Sequence, residues 1–113
     1  MRGRLALILL GAMLTACSSQ SDTQLEGVKT ARSVLGEWAW VEEQSNKDNT
    51  PSTYTEQMRE MAREQLKSTK TELKGQPQAQ NLVEQMRSGA PDARALQQAQ
   101  DALDPLETQL ESS

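Results

Sequence analysis

LEGVKTARSVLGEWAWV, residues Leu25–Val41, is the stretch whose reading decides the fold. Its apolar residues Leu25, Val28, Ala31, Val34, Leu35, Trp38 and Val41 recur at spacings of three and four. That period gathers them on one broad face of an α-helix. The spacing predicts a helix over residues 25–45, with Glu42 and Glu43 read as solvated surface.

Moving outward, Asn46-Lys47-Asp48-Asn49-Thr50-Pro51 is turn chemistry. Thr53 and Glu56 then form a capping-box pattern that opens a second helix over 53–74. Tyr54, Met58, Met61, Ala62, Leu66, Thr69 and Leu73 make its expected buried stripe, and Gly75 and Pro77 stop it. Ala79, Leu82, Val83 and Met86 predict a third helix over 78–88, closed by Gly89. Leu96, Ala99, Leu103, Leu106 and Leu110 keep a three-four spacing over a last helix, 92–111. Pro105 removes an amide donor inside it, so the helix kinks there or a new turn starts at Asp104, with Glu107 completing a capping box. The leucine register survives the proline, which favours a kinked or closely abutting helix over a change of direction. The expected fold over residues 25–113 is therefore all-α: a small antiparallel bundle of three or four helices.

Composition limits what such a bundle can do. The 113-residue chain has no His, no Phe, two Trp, one Tyr and a single Cys. Without His or a GxxxxGK[ST] phosphate cradle, and with the single Cys17 read below as a lipidation site, the commonest acid-base, nucleophilic, zinc and nucleotide arrangements are missing. The densest carboxylates are Glu42-Glu43 and Asp101-Asp104; the adjacent glutamates project about 100° apart on a helix and do not converge, and a paired-acid site normally needs a shaped cleft around it. The chain reads as non-enzymatic, with no cofactor and no metal.

Two charged stripes stand out. Arg59, Arg63, Lys67, Lys70 and Lys74 fall within about 80° on one side of the second helix. Glu56, Glu60 and Glu64 each stand three residues before a basic partner, Arg59, Arg63 and Lys67 respectively. Asp101, Asp104, Glu107 and Glu111 form an acidic stripe on the last helix. The two stripes face each other or solvate the bundle, or else the basic one meets anionic lipid headgroups or an acidic partner. Trp40 raises a related question, being turned about 200° from Trp38. It is either a second packed contact, in a helix covered on both faces, or an anchor for a partner.

The first residues carry an address. Arg2 and Arg4 precede the apolar run Leu5–Leu10, and Gly11, Ala12 and Ala16 supply small residues before Cys17. A basic start, a short apolar run and a small-residue exit make a secretory signal, 1–16, and the run is well short of the ~20 residues that span a bilayer. Leu14-Thr15-Ala16-Cys17 resembles the lipobox of bacterial lipoproteins. The resemblance implies cleavage before Cys17, a diacylglyceryl group on its thiol and acylation of the freed amine. More than one acyl chain gives stable anchoring where one is marginal. Ser18 stands where aspartate favours inner-membrane retention in proteobacterial members of that family, so the resemblance implies the periplasmic face of the outer membrane. Residues 17–24 then form the lipidated Cys17 and a polar tether.

With Arg2 and Arg4 removed, ten basic side chains face sixteen acidic ones, a net charge near −6. Acidic chains are poor at neutralising phosphates, so nucleic acid is not an expected partner. The expectation is a lipid-anchored envelope protein acting as an interaction or structural accessory module, with Trp40 and the basic stripe as its contact surfaces. Two alternatives stand beside it: a pilotin-like lipoprotein escorting an outer-membrane client, and a carrier of an apolar ligand lined by Met58, Met61 and Met86.

Overall fold

The computed structural model describes the backbone of residues 2–112 and the side chains of residues 21–112. The signal over 1–16 and the lipidation site Cys17 lie outside the residues with described side chains. Five α-helices follow in order: α1 Arg2–Asn46, α2 Ser52–Glu72, α3 Pro77–Ser88, α4 Ala93–Ala102 and α5 Asp104–Glu111. The fold is a small all-helical bundle, with no strand among the described residues.

Each junction follows from local chemistry. After α1 the chain reverses through Asp48, which takes the left-handed conformation at φ 57°. Asn49 secures this turn, its backbone N–H donating to the Gln44 carbonyl and its side-chain amide to Gln44 Oε1, both at 2.9 Å. Asp and Asn tolerate that conformation better than most residues. Gly75 at φ +97° ends α2, and Pro77 opens α3 at a position where a missing N–H costs nothing. Asp92 caps α4 by accepting from the Ala95 N–H at 2.8 Å.

The expected cap of α2 does not form, and neither does the alternative cap at Asp104. Helix α2 begins at Ser52 after Pro51, with no side-chain cap, so the Thr53–Glu56 capping box is not made. Glu56 pairs with Arg59 instead. At Pro105 the helix does break, but Leu103 stays in the right-handed helical region and α5 abuts α4 directly. Asp104 and Glu107 do not cap α5; both turn to Arg32 on α1, at 3.0 and 3.1 Å. An inter-helix charge partner has won over the local cap.

Tertiary contacts give the helix directions. Gly27 of α1 lies against Glu72 and Leu73 of α2, while Glu42 reaches Arg59, so α1 and α2 are antiparallel. Gln80 bonds the Lys70 carbonyl and Arg63 reaches the Gly89 carbonyl, so α3 runs back along α2. Gly36 and Arg32 meet Gln100, and Arg32 reaches on to Glu107, so α4 and α5 return along α1. Helix α1 therefore touches α2, α4 and α5, whereas α3 meets α4 only sparingly.

The core holds Val28, Ala31, Val34, Leu35 and Trp38 of α1 with Ala62, Leu66, Leu73, Val83, Leu96, Ala99 and Leu103. Leu35, Leu66 and Leu96 are fully buried, and truncating any of them to alanine carries the ~2–5 kcal/mol typical of a leucine cavity. On α2 the expected stripe is shifted at its start: Tyr54 is 41% and Met61 54% exposed, and Thr55 is buried instead. Thr55 can be buried because its hydroxyl is paired with Thr50 and the Pro51 carbonyl. The stretch expected as a polar tether is helical where its side chains are described, Ser21–Gln24. Gln24 donates to the Lys74 carbonyl at 2.8 Å and accepts from Gln76 at 3.4 Å.

Candidate functional site

The end of the bundle formed by the α1–α2 turn and the α3–α4 connection concentrates the polar chemistry. Trp38, on the apolar face of α1, is buried and donates from Nε1 to Glu42 one turn later, at 3.0 Å. Glu42 is only 7% exposed. Arg59 of α2 grips both of its carboxylate oxygens, Nε at 2.6 Å and an Nη at 2.7 Å. Arg59 also pairs with Glu56. The Arg63 guanidinium lies over the Trp38 ring, 5.3 Å from its centroid, and extends an N–H to the Gly89 carbonyl at 3.5 Å. These side chains, with Asn46, Ala90, Pro91 and Asp92, line a shallow groove of about 310 Å³.

The electrostatics are those of a closed circuit. Hydrogen bonding from Arg59 holds the Glu42 carboxyl below its ordinary value against the opposing effect of burial, with Trp38 adding to the lowering. Arg59 is correspondingly held charged by Glu42 and Glu56. A second cluster repeats the pattern on α3, where Glu84 accepts from Arg87 at 2.8 Å and from Lys70 at 3.2 Å. Arg87, and then Lys70, hold the Glu84 carboxyl down at about 2.

The basic stripe is thus divided. Arg59 and Arg63 turn into the α1–α2 interface, Lys70 crosses to Glu84, and Lys67 and Lys74 stay exposed. Of the three expected pairs on α2, Glu56–Arg59 closes, while Glu60 and Glu64 hold no ion pair among the described residues. The acidic stripe does not meet the basic one. Asp104 and Glu107 are taken by Arg32, which also donates to the Gln100 carbonyl at 3.3 Å.

Compared with family models, curated proteins and solved structures, the chain matches none. Its candidate surfaces therefore stand on geometry alone.

Trp40 is 54% exposed, so the second packed contact is not realised and the indole projects from α1 into solvent. With Tyr54 and Met61 it makes up the exposed large apolar side chains of the described residues. The exposure of Met61 also removes it from the enclosed methionine pocket expected for an apolar ligand. Two residues important to the geometry were missed by sequence reasoning. Glu42 carried a signal: it stands four residues after Trp38, about 40° away on the wheel and inside the apolar arc. Arg32 carried only a position at the edge of that arc, and its acidic partners lie more than seventy residues away in sequence.

Proposed function

We propose that the protein is a lipid-anchored component of a bacterial cell envelope, held at the periplasmic face of the outer membrane, acting as a non-catalytic protein-interaction module. The address rests on Leu14-Thr15-Ala16-Cys17 and the basic, apolar segment before it. The observation that carries the interaction role is Trp40. A tryptophan side chain left 54% exposed on the most heavily packed helix contributes little to the core and offers a large rigid anchor to a partner. The charged residues support the same reading from the other side, since Arg59, Arg63 and Lys70 already have internal partners. Docking then depends on the indole more than on a free basic field.

The test combines the address with the surface. Wild type and Cys17→Ser are labelled with a palmitate analogue, membranes are fractionated, and bound proteins are recovered from the outer-membrane fraction. Label on wild type that disappears in Cys17→Ser, together with a defined envelope protein lost on Trp40→Ala, is the expected result. An unlabelled wild type refutes the anchor. A labelled wild type whose partners are unchanged by Trp40→Ala refutes the surface.

A further inference from the structure

At the opposite end of the bundle from Glu42, the sparse contact between α3 and α4 opens into a groove of about 400 Å³. Its walls are Ala79 and Leu82 of α3 and Ala102, Leu103, Pro105 and Leu106 at the α4–α5 junction. Its rim is Gln76, Gln78 and Gln109, so no charged side chain lines it. A concave, mostly apolar surface with a few neutral polar groups at its edge suits an uncharged aliphatic occupant, and the volume lies within the ~300–1,000 Å³ of small-molecule sites.

The course of the chain says which occupant is near. Gln76 on the rim donates to Gln24 of α1, and Gln24 also donates to the Lys74 carbonyl. The segment preceding the bundle is therefore fastened beside the mouth of this groove. Cys17 precedes Gln24 by seven positions on the same helix, which at ~1.5 Å per residue is about 10 Å.

We propose that the groove between α3 and the α4–α5 junction receives one acyl chain carried on Cys17 when the protein is out of the bilayer. The inference rests on the lipid anchor proposed above. In water an exposed acyl chain drives association between molecules, whereas a chain laid along Leu82, Leu103 and Leu106 is covered by its own protein. In a membrane the chain leaves the groove, because the bilayer interior covers it completely. The break at Leu103 and the proline at Pro105 then have a purpose: they set α5 against α1 through Arg32 and leave the α3 side of the junction open.

The test uses the full-length lipidated protein, labelled with an alkynyl palmitate and freed of detergent. The photoreactive residue p-benzoylphenylalanine replaces Gln78 or Gln109 on the rim, or Ser33, exposed beside the α1–α2 cleft. All three positions are exposed, and circular dichroism checks that each variant keeps its helices. On illumination, monomer in which the acyl label is joined to residue 78 or 109 several-fold more than to residue 33 is the expected result. Label on the protein with equal yields at the three positions overturns the groove and leaves the anchor standing. Crosslinks only between molecules overturn it in favour of exchange between copies. Absence of label from every form removes the anchor and the inference together.

Discussion

Replacing Glu42 by glutamine tests the most heavily committed polar contact in the bundle. The change keeps side-chain volume and one acceptor oxygen for Trp38, but it removes the charge and sets an amide donor against an Arg59 N–H. The 2.7 Å bond from the Arg59 Nη to Oε1 is lost, and the 2.6 Å bond from Arg59 Nε to the oxygen shared with Trp38 loses its ionic attraction. Breaking a fully buried pair typically costs ~3–5 kcal/mol. The Arg59 side chain is 29% exposed and retains Glu56, which offsets part of that loss. The expected destabilisation of Glu42→Gln is therefore about 2 kcal/mol, between the cost of a buried pair and that of one charged hydrogen bond. At a urea slope of about 1 kcal/mol per molar, the midpoint moves down by about 2 M. Urea titration at pH 7, followed by tryptophan fluorescence and circular dichroism, measures this directly. Arg59→Met made in the Glu42→Gln background should then cost about 1–2 kcal/mol less than in wild type, since the two residues share one contact. A midpoint shift below about 0.5 M with an unchanged slope would refute the reading of Glu42 as a buried, Arg59-dependent carboxylate.

Further predictions follow from the same geometry. Because the folded Glu42 carboxyl titrates below its ordinary 4.5, the unfolded chain binds more protons there. Its contribution is present above pH 4.5 and is lost as pH falls below that value, so urea midpoints from pH 7 to 3 should fall less steeply in Glu42→Gln than in wild type. Arg32→Met removes the ties to Asp104, Glu107 and the Gln100 carbonyl; a loss of about 1–2 kcal/mol is expected, with faster hydrogen exchange concentrated in α5. Gly27→Ala and Gly36→Ala should differ in sign. A methyl at 27 meets Glu72 Cβ at 3.0 Å, fixed to the backbone of α2, and should destabilise by about 1 kcal/mol, whereas at 36 it meets the movable end of Gln100, and the helix-propensity gain of up to ~1 kcal/mol prevails. Thermal melts of the two variants decide it. Trp40→Ala should leave the urea midpoint within the equivalent of about 0.5 kcal/mol of wild type, as expected for a surface substitution.

The sequence makes some parts of this molecule legible and hides others for identifiable reasons. Val28, Ala31, Val34, Leu35 and Trp38 announce their burial because one helical period governs all five, and local order is what a period encodes. The antiparallel arrangement follows from short turns with strong chemistry, Asn46–Pro51 and Gly75-Gln76-Pro77. Tyr54 and Met61 mislead because a hydrophobic side chain at the edge of a helix face is not thereby buried; one residue along, the hydrogen-bonded Thr55 and the small Ala62 are buried instead. The capping boxes at Thr53–Glu56 and Asp104–Glu107 mislead for a different reason. Each acid has two available partners, a local amide and an arginine, and sequence spacing displays only the first. Arg59 and Arg63 belong to a stripe in projection, yet the stripe splits once Glu42 and Trp38 are brought opposite them. Such long-range choices depend on how the helices meet, which no single helix records.

Gln24 has a mechanical consequence. Its amide ties α1 to the Lys74 carbonyl and to Gln76, across the entire α2–α3 turn. A pull arriving from the residues before it is shared at once between two separate parts of the chain. Peeling of α1 past Gln24 must break this clasp together with the packing of Gly27 against Leu73. Under tension applied from the residues before Gln24, resistance is then set by the rate of this concerted rupture, and the load enters through a glutamine side chain.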